Sequence, residues 1–224
     1  MGLALTKVPG KQKYLAAKAA LHLKLQQTNE AIKTFEKIAE TNPHDVKSAK
    51  VLGDLYSSAK QFSEAENLYK KMLALSPDSE ILFKLADIYA ADKQYLKADA
   101  TVRKAVELKP LDSAVLLKSA IFLCGHKKYN EAKNHFKNIL KIKPNFPEAH
   151  YYLGEMYHDM FKLHDAEKEM KEAIRLKPDF GEAYFKLGCI YHDMKRPRDA
   201  DKQFEKAALI NSEYQKMAEE KEEL

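Results

Sequence analysis

The chain has 224 residues, of which 45% are apolar and 32% charged, and its 38 basic side chains are nearly matched by 33 acidic ones. That balance describes a salt-laced surface rather than a dedicated polyanion binder, and seven Gly plus eight Pro are too few for a low-complexity chain. Two Cys exclude a disulfide framework, and no apolar run approaches the ~20 residues that span a bilayer. Residues 1–11 form a tail with no basic region leading into a long apolar core, so no signal peptide is expected. Met1, Gly2 and Thr6 satisfy the short Met-Gly-x-x-x-Ser/Thr acylation pattern, but a frayed start is the simpler reading of so loose a match. With few Cys and no Asn-x-Ser/Thr site, a reducing, cytoplasmic setting is expected.

From residue 12 onward four features recur in phase. Prolines fall at 43, 77, 110, 144 and 178, spaced by 34, 33, 34 and 34 residues. Ala31, Ala65, Ala98, Ala132 and Ala166 precede them, and Ala200 continues the series. A third series is Tyr56, Tyr89, Leu123, Tyr157 and Tyr191, each preceded by a small-residue pair such as Leu52-Gly53, Leu153-Gly154 or Leu187-Gly188. The repeats are placed at 12–45, 46–78, 79–112, 113–146, 147–180 and 181–214. Each reads as two apolar-periodic helices, for example Glu148–Met160 and Asp165–Leu176 in the fifth. Gly154 and Ala166 let the two helices approach, Tyr157 and Met170 fill the space beside them, and Pro178 ends the second helix. One hairpin cannot bury its apolar faces alone, so stacking makes the core. Tyr214–Leu224 reads as an acidic capping helix (215–224 beyond the last repeat), with Tyr214 and Met217 inward and Glu219, Glu220, Glu222 and Glu223 solvated.

These motifs resemble the tetratricopeptide repeat family over residues 12–214. The fifth repeat carries the pattern in Leu153, Gly154, Tyr157, Ala166, Ala173 and Pro178, and the sixth in Tyr184, Leu187, Gly188, Tyr191, Ala200, Phe204 and Ala207. The first is weakest, with His22 at the aromatic position. The resemblance implies an all-α, right-handed solenoid of six helix-turn-helix units, whose first helices line a concave groove. Family geometry then points to Lys50, Phe83, Leu117, Tyr151 and Phe185 as groove-facing, with Ile121 and Glu155 one turn on and Lys84, Lys118 and Lys186 bordering the stripe. Packing between neighbouring first helices is the competing reading of this stripe.

Chemistry is absent from the motifs. There is no Gly-x-Gly-x-x-Gly, Walker-type loop or His-Glu-x-x-His, and no catalytic residue, metal or cofactor is expected. His158-Asp159 and His192-Asp193 recur one repeat apart, ~10 Å by helix packing, which is too far for shared zinc; they read as solvated or capping residues near the helix-helix turn. Cys124 and Cys189 read as small packing residues. The carboxylate clamp of chaperone-binding members is not reproduced, since its places in repeats two to four hold Lys50, Asp54, Lys84, Ala114 and Lys118. The expected function is a non-catalytic scaffold or adaptor that binds a protein or peptide in the groove. Homo-oligomerisation stays open, as a self-assembling scaffold of a bacterial organelle or envelope complex, and so does a repeat segment of a larger protein. RNA binding is less favoured and no nucleic acid is expected; membrane association would come only through partners.

Overall fold

A computed structural model describes residues 9–42, 45–214 and 216–217. Among them are twelve helices and no strand, and none of the helices is long and apolar enough to cross a membrane. The acylation pattern at Met1–Thr6, the repeat proline Pro43 and the glutamates of the acidic tail lie outside the described residues.

The chain divides into two compact units, Met1–Lys109 and Pro110–Leu224. The first holds three hairpins: α1 (Pro9–Lys24) with α2 (Thr28–Thr41), α3 (Val46–Ser58) with α4 (Phe62–Leu75), and α5 (Ser79–Ala91) with α6 (Tyr95–Leu108). The second holds α7 (Ser113–Gly125) with α8 (Tyr129–Ile142), α9 (Pro147–Asp159) with α10 (Leu163–Leu176), and α11 (Gly181–Asp193) with α12 (Pro197–Ile210).

Local chemistry explains the punctuation. Asp45, Asp78 and Asp112 accept backbone N–H bonds at the starts of α3, α5 and α7, from Ser48, Glu80 and Ala114 respectively. α9 and α12 start with proline, whose missing N–H costs nothing there. α4, α6, α8 and α10 each stop two residues before a proline, at Leu75, Leu108, Ile142 and Leu176. Every hairpin turns through one residue in the left-handed region: Gln26, Lys60, Lys93, Lys127, Phe161 and Lys195, with φ between 55° and 60°.

The core is built from the repeated small and large positions. Ala31, Ala65, Ala98, Ala132 and Ala166 are fully buried and Ala200 is 1% exposed. Opposite them, a Cβ on Gly53 would run into the Tyr69 ring, one on Gly154 would lie 3.0 Å from Met170 Cε, and one on Gly188 2.5 Å from Phe204 Cε1. These are the close helix approaches the spacing predicts.

The tyrosine series does more than fill space. Tyr56 donates to Glu36 Oε1 at 2.7 Å, Tyr89 to Glu66 Oε1 at 2.9 Å and Tyr191 to Glu167 Oε1 at 3.0 Å, each tying a first helix to the second helix of the preceding hairpin. At the Tyr157 position the facing residue is Lys133, whose Nζ sits 5.3 Å from the ring centroid instead. At the end of the array Tyr214 is half-buried, its ring stacked 5.5 Å from that of Phe185. Met217 is not turned inward as expected: 46% of it is exposed.

Candidate functional site

The first helices of the second unit present an open surface with two adjoining cavities. One, of about 240 Å³, is lined by Ile121, Cys124 and Gly125 of α7 and by Tyr152, Glu155, Met156 and Asp159 of α9. The other, of about 620 Å³, lies at the turn end and is lined by Cys124, Gly125, Lys127, Tyr129, His158, Asp159, Phe161 and Asp193. Cys124, Gly125 and Asp159 border both, so the two form one trough. Helical periodicity builds it: Ile121, Cys124 and Gly125 share one face of α7, while Tyr152, Glu155, Met156 and Asp159 share one face of α9.

The expected groove residues fall into three groups. Ile121 is exposed and Leu117, Tyr151 and Phe185 are half-buried, whereas Phe83 in the first unit is only 7% exposed and packs rather than presents a surface. Tyr151 has its ring 5.1 Å from Phe180 and 5.0 Å from Tyr152, and burial followed by the Glu155 charge pushes its phenol well above the usual range. Phe185 lies 5.4 Å from Phe204 as well as against Tyr214. Both aromatics are thus partly core, as the competing packing reading holds.

The bordering lysines are not bare cations. Lys84 reaches Asp54 at 2.6 Å, Lys186 reaches Glu155 at 2.8 Å, and Lys50 bridges Glu80 at 2.5 Å and Asp78 at 3.5 Å. Asp54 with Lys84 and Glu155 with Lys186 are one motif, an acid on one first helix and a lysine on the next. Partly exposed pairs of this kind contribute about 0–1 kcal/mol each, so they align neighbouring helices more than they stabilise them. Lys118 is exposed.

Sequence reasoning missed Tyr152, Cys124, Asp159 and Phe161. The signal for Phe161 was legible, because the other five turn positions hold Gln or Lys. The His-Asp repeat also behaves differently from expectation. His158 Nε2 meets Asp193 Oδ2 at 2.6 Å, so these unlike members of the two copies bond across adjacent hairpins rather than standing solvated.

Burial, then the nearby Asp159 and Glu155 charges, pushes the Cys124 thiol up to about 12, so little thiolate forms at neutral pH. Cys189 is buried and both cysteines are free. Among the described residues no three His, Cys, Asp or Glu side chains gather as a metal site.

Residues 8–171 match the family described as ChAPs, the Chs5p-Arf1p-binding proteins. The chain belongs to this family. Residues 181–214 match the tetratricopeptide repeat itself, which is therefore recognisable in the ChAPs chain. No curated protein matches the sequence. Solved structures share the fold. MamA is 24% identical over 74% of this chain and 97% of its own, with a TM-score of 0.57. YrrB, a tetratricopeptide repeat protein with an unusual peptide-binding site, is 19% identical over 85% of this chain and 98% of its own, at 0.55. A tetratricopeptide repeat protein from Parabacteroides merdae ATCC 43184 is 16% identical over 94% of this chain and 88% of its own, at 0.65.

Proposed function

We propose that this ChAPs-family chain is a non-catalytic adaptor that holds a segment of a partner protein along the first-helix face of its second unit. The observation that carries the reading is the open trough between α7 and α9, with an apolar floor of Ile121, Met156 and Tyr152 and a charged wall of Glu155 and Asp159. Apolar floors rimmed by charge are where aromatic and aliphatic anchors of a partner are desolvated. The family's name gives the first partners to test, Chs5p and Arf1p. YrrB, of the same fold, has a peptide-binding site by its own description, which supports a peptide as the occupant.

The test is capture of purified Chs5p and Arf1p on the immobilised chain, wild type against Ile121→Glu and Tyr152→Ala. Retention of either partner by the wild type, with at least about tenfold weaker retention by Ile121→Glu, is expected. Equal retention by both variants would move the site elsewhere, and no retention of either protein would refute these partners.

A further inference from the structure

The larger cavity has features that neither the fold nor the packing uses. Phe161 occupies the left-handed turn between α9 and α10 with φ 56°, and 82% of it is exposed. The equivalent turns are made by Gln26, Lys60, Lys93, Lys127 and Lys195, so the turn itself has no need of a phenyl ring. Left-handed backbone is uncommon for a bulky residue. The ring borders the cavity alongside Tyr129.

The electrostatics of the same place are biased one way. Asp159 and Asp193 are the last residues of α9 and α11, and Gly125 is the last of α7. Helix C-termini carry about half a negative charge each, so a carboxylate there is opposed by its own helix and favours a cation beside it. Only Tyr129 comes from the start of a second helix. Asp193 is engaged by His158, and Glu155 by Lys186, but the exposed Asp159 carboxylate has no hydrogen bond or ion pair among the described residues. Lys127 is the single ammonium on the lining. At about 620 Å³ the cavity falls within the roughly 300–1,000 Å³ of ligand sites, and it opens into the apolar trough through the shared Cys124, Gly125 and Asp159.

We infer that this cavity takes an arginine or lysine side chain of a partner peptide, with the cation on Asp159 and the Phe161 ring and a neighbouring apolar residue on Ile121 and Tyr152. The inference rests on the peptide-binding reading above and names the chemistry of that peptide. A cation over an aromatic face and beside a carboxylate satisfies both groups at once. An extended segment has alternate side chains available for the two adjoining cavities.

A random twelve-residue phage library panned on the full chain identifies the motif, and fluorescein-labelled copies of the enriched peptides give affinities by anisotropy. Enrichment of Arg or Lys two positions from a large apolar residue is expected. Asp159→Lys should weaken such a peptide by about tenfold and tighten the copy in which its basic residue is replaced by Glu; Phe161→Ala should weaken the original severalfold. Circular-dichroism melting keeps the variants comparable, and removing an acid from the α9 C-terminus should not lower the melting point. Enriched peptides that lack a basic residue, or that bind Asp159→Lys as they bind wild type, would overturn the cation pocket; if Tyr152→Ala still weakens them, the peptide-binding face stands. Recovery of no binding peptide, together with no capture of Chs5p or Arf1p, would overturn both.

Discussion

Replacing each of three glycines by alanine should give three different results, because the space behind each is different. A helical Gly→Ala change gains up to about 1 kcal/mol from backbone entropy alone. At Gly125 nothing lies within 4 Å of the new Cβ, so the gain survives, reduced to about 0.5 kcal/mol because the residue is the last of α7. At Gly154 the Cβ meets Met170 Cε at 3.0 Å and Cγ at 3.3 Å, with the Ala166 carbonyl oxygen at 3.4 Å. The end of an unbranched methionine can swing aside, so gain and crowding offset each other to within about 1 kcal/mol. At Gly188 all three nearest atoms belong to the Phe204 ring, at 2.5, 2.6 and 3.0 Å. That ring is 6% exposed and the Phe185 ring packs against it at 5.4 Å, so it cannot tilt away freely. Overpacking costs about 2–3 kcal/mol there, for a net loss of about 1–2 kcal/mol. Urea unfolding followed at 222 nm should therefore rank the midpoints Gly125→Ala above Gly154→Ala above Gly188→Ala. A Gly188→Ala midpoint equal to or above that of Gly154→Ala would refute the helix approach described for α11 and α12.

Tyr191→Phe should cost about 0.5–1.5 kcal/mol by deleting the bond to Glu167, whereas Tyr157→Phe keeps the ring that Lys133 faces and should cost less; equal losses in thermal melting would mean the hydroxyl is not the tie. His150 Nδ1–H donates to Glu169 Oε2 at 2.7 Å, and that bond raises its pKa above 6.5 against the opposing pull of burial. The protonated pair therefore stabilises the fold below about pH 6.5 and is lost as pH rises through the higher folded-state value, so the deficit of Glu169→Gln relative to wild type should be largest in mild acid and shrink toward pH 8.5. His135 works in the opposite sense, since burial lowers its pKa: its neutral form stabilises above about pH 6.5 and is lost as pH falls, and His135→Gln should narrow that acid loss. Phe185→Ala should lower the melting point through lost contact with Phe204 and Tyr214, while Ile121→Glu should leave melting within about 0.5 kcal/mol of wild type and weaken partner capture at least about tenfold. The reverse pattern would return Phe185 to the binding face and Ile121 to the core.

The helical hairpins were legible in the sequence because proline, alanine and glycine act through the local backbone and through contacts within one repeat. Pro178 stops a helix wherever it falls, and Ala166 facing Gly154 is a contact that a 34-residue unit makes with itself. The site was less legible, because its residues are defined by what the next hairpin brings. Lys84 and Lys186 look like free cations in the chain and become ion-pair partners only when the preceding first helix supplies Asp54 and Glu155. Phe83, Leu117, Tyr151 and Phe185 hold one position in the repeat yet differ in exposure, because what packs beside that position changes along the array: Phe180 lies against Tyr151, and Phe204 and Tyr214 against Phe185. His158 and Asp193 are 35 residues apart and meet only through stacking of α9 and α11. Periodicity therefore determined which residues fold into hairpins, and the stacking decided which side chains were consumed in holding hairpins together and which, like Asp159 and Phe161, were left exposed.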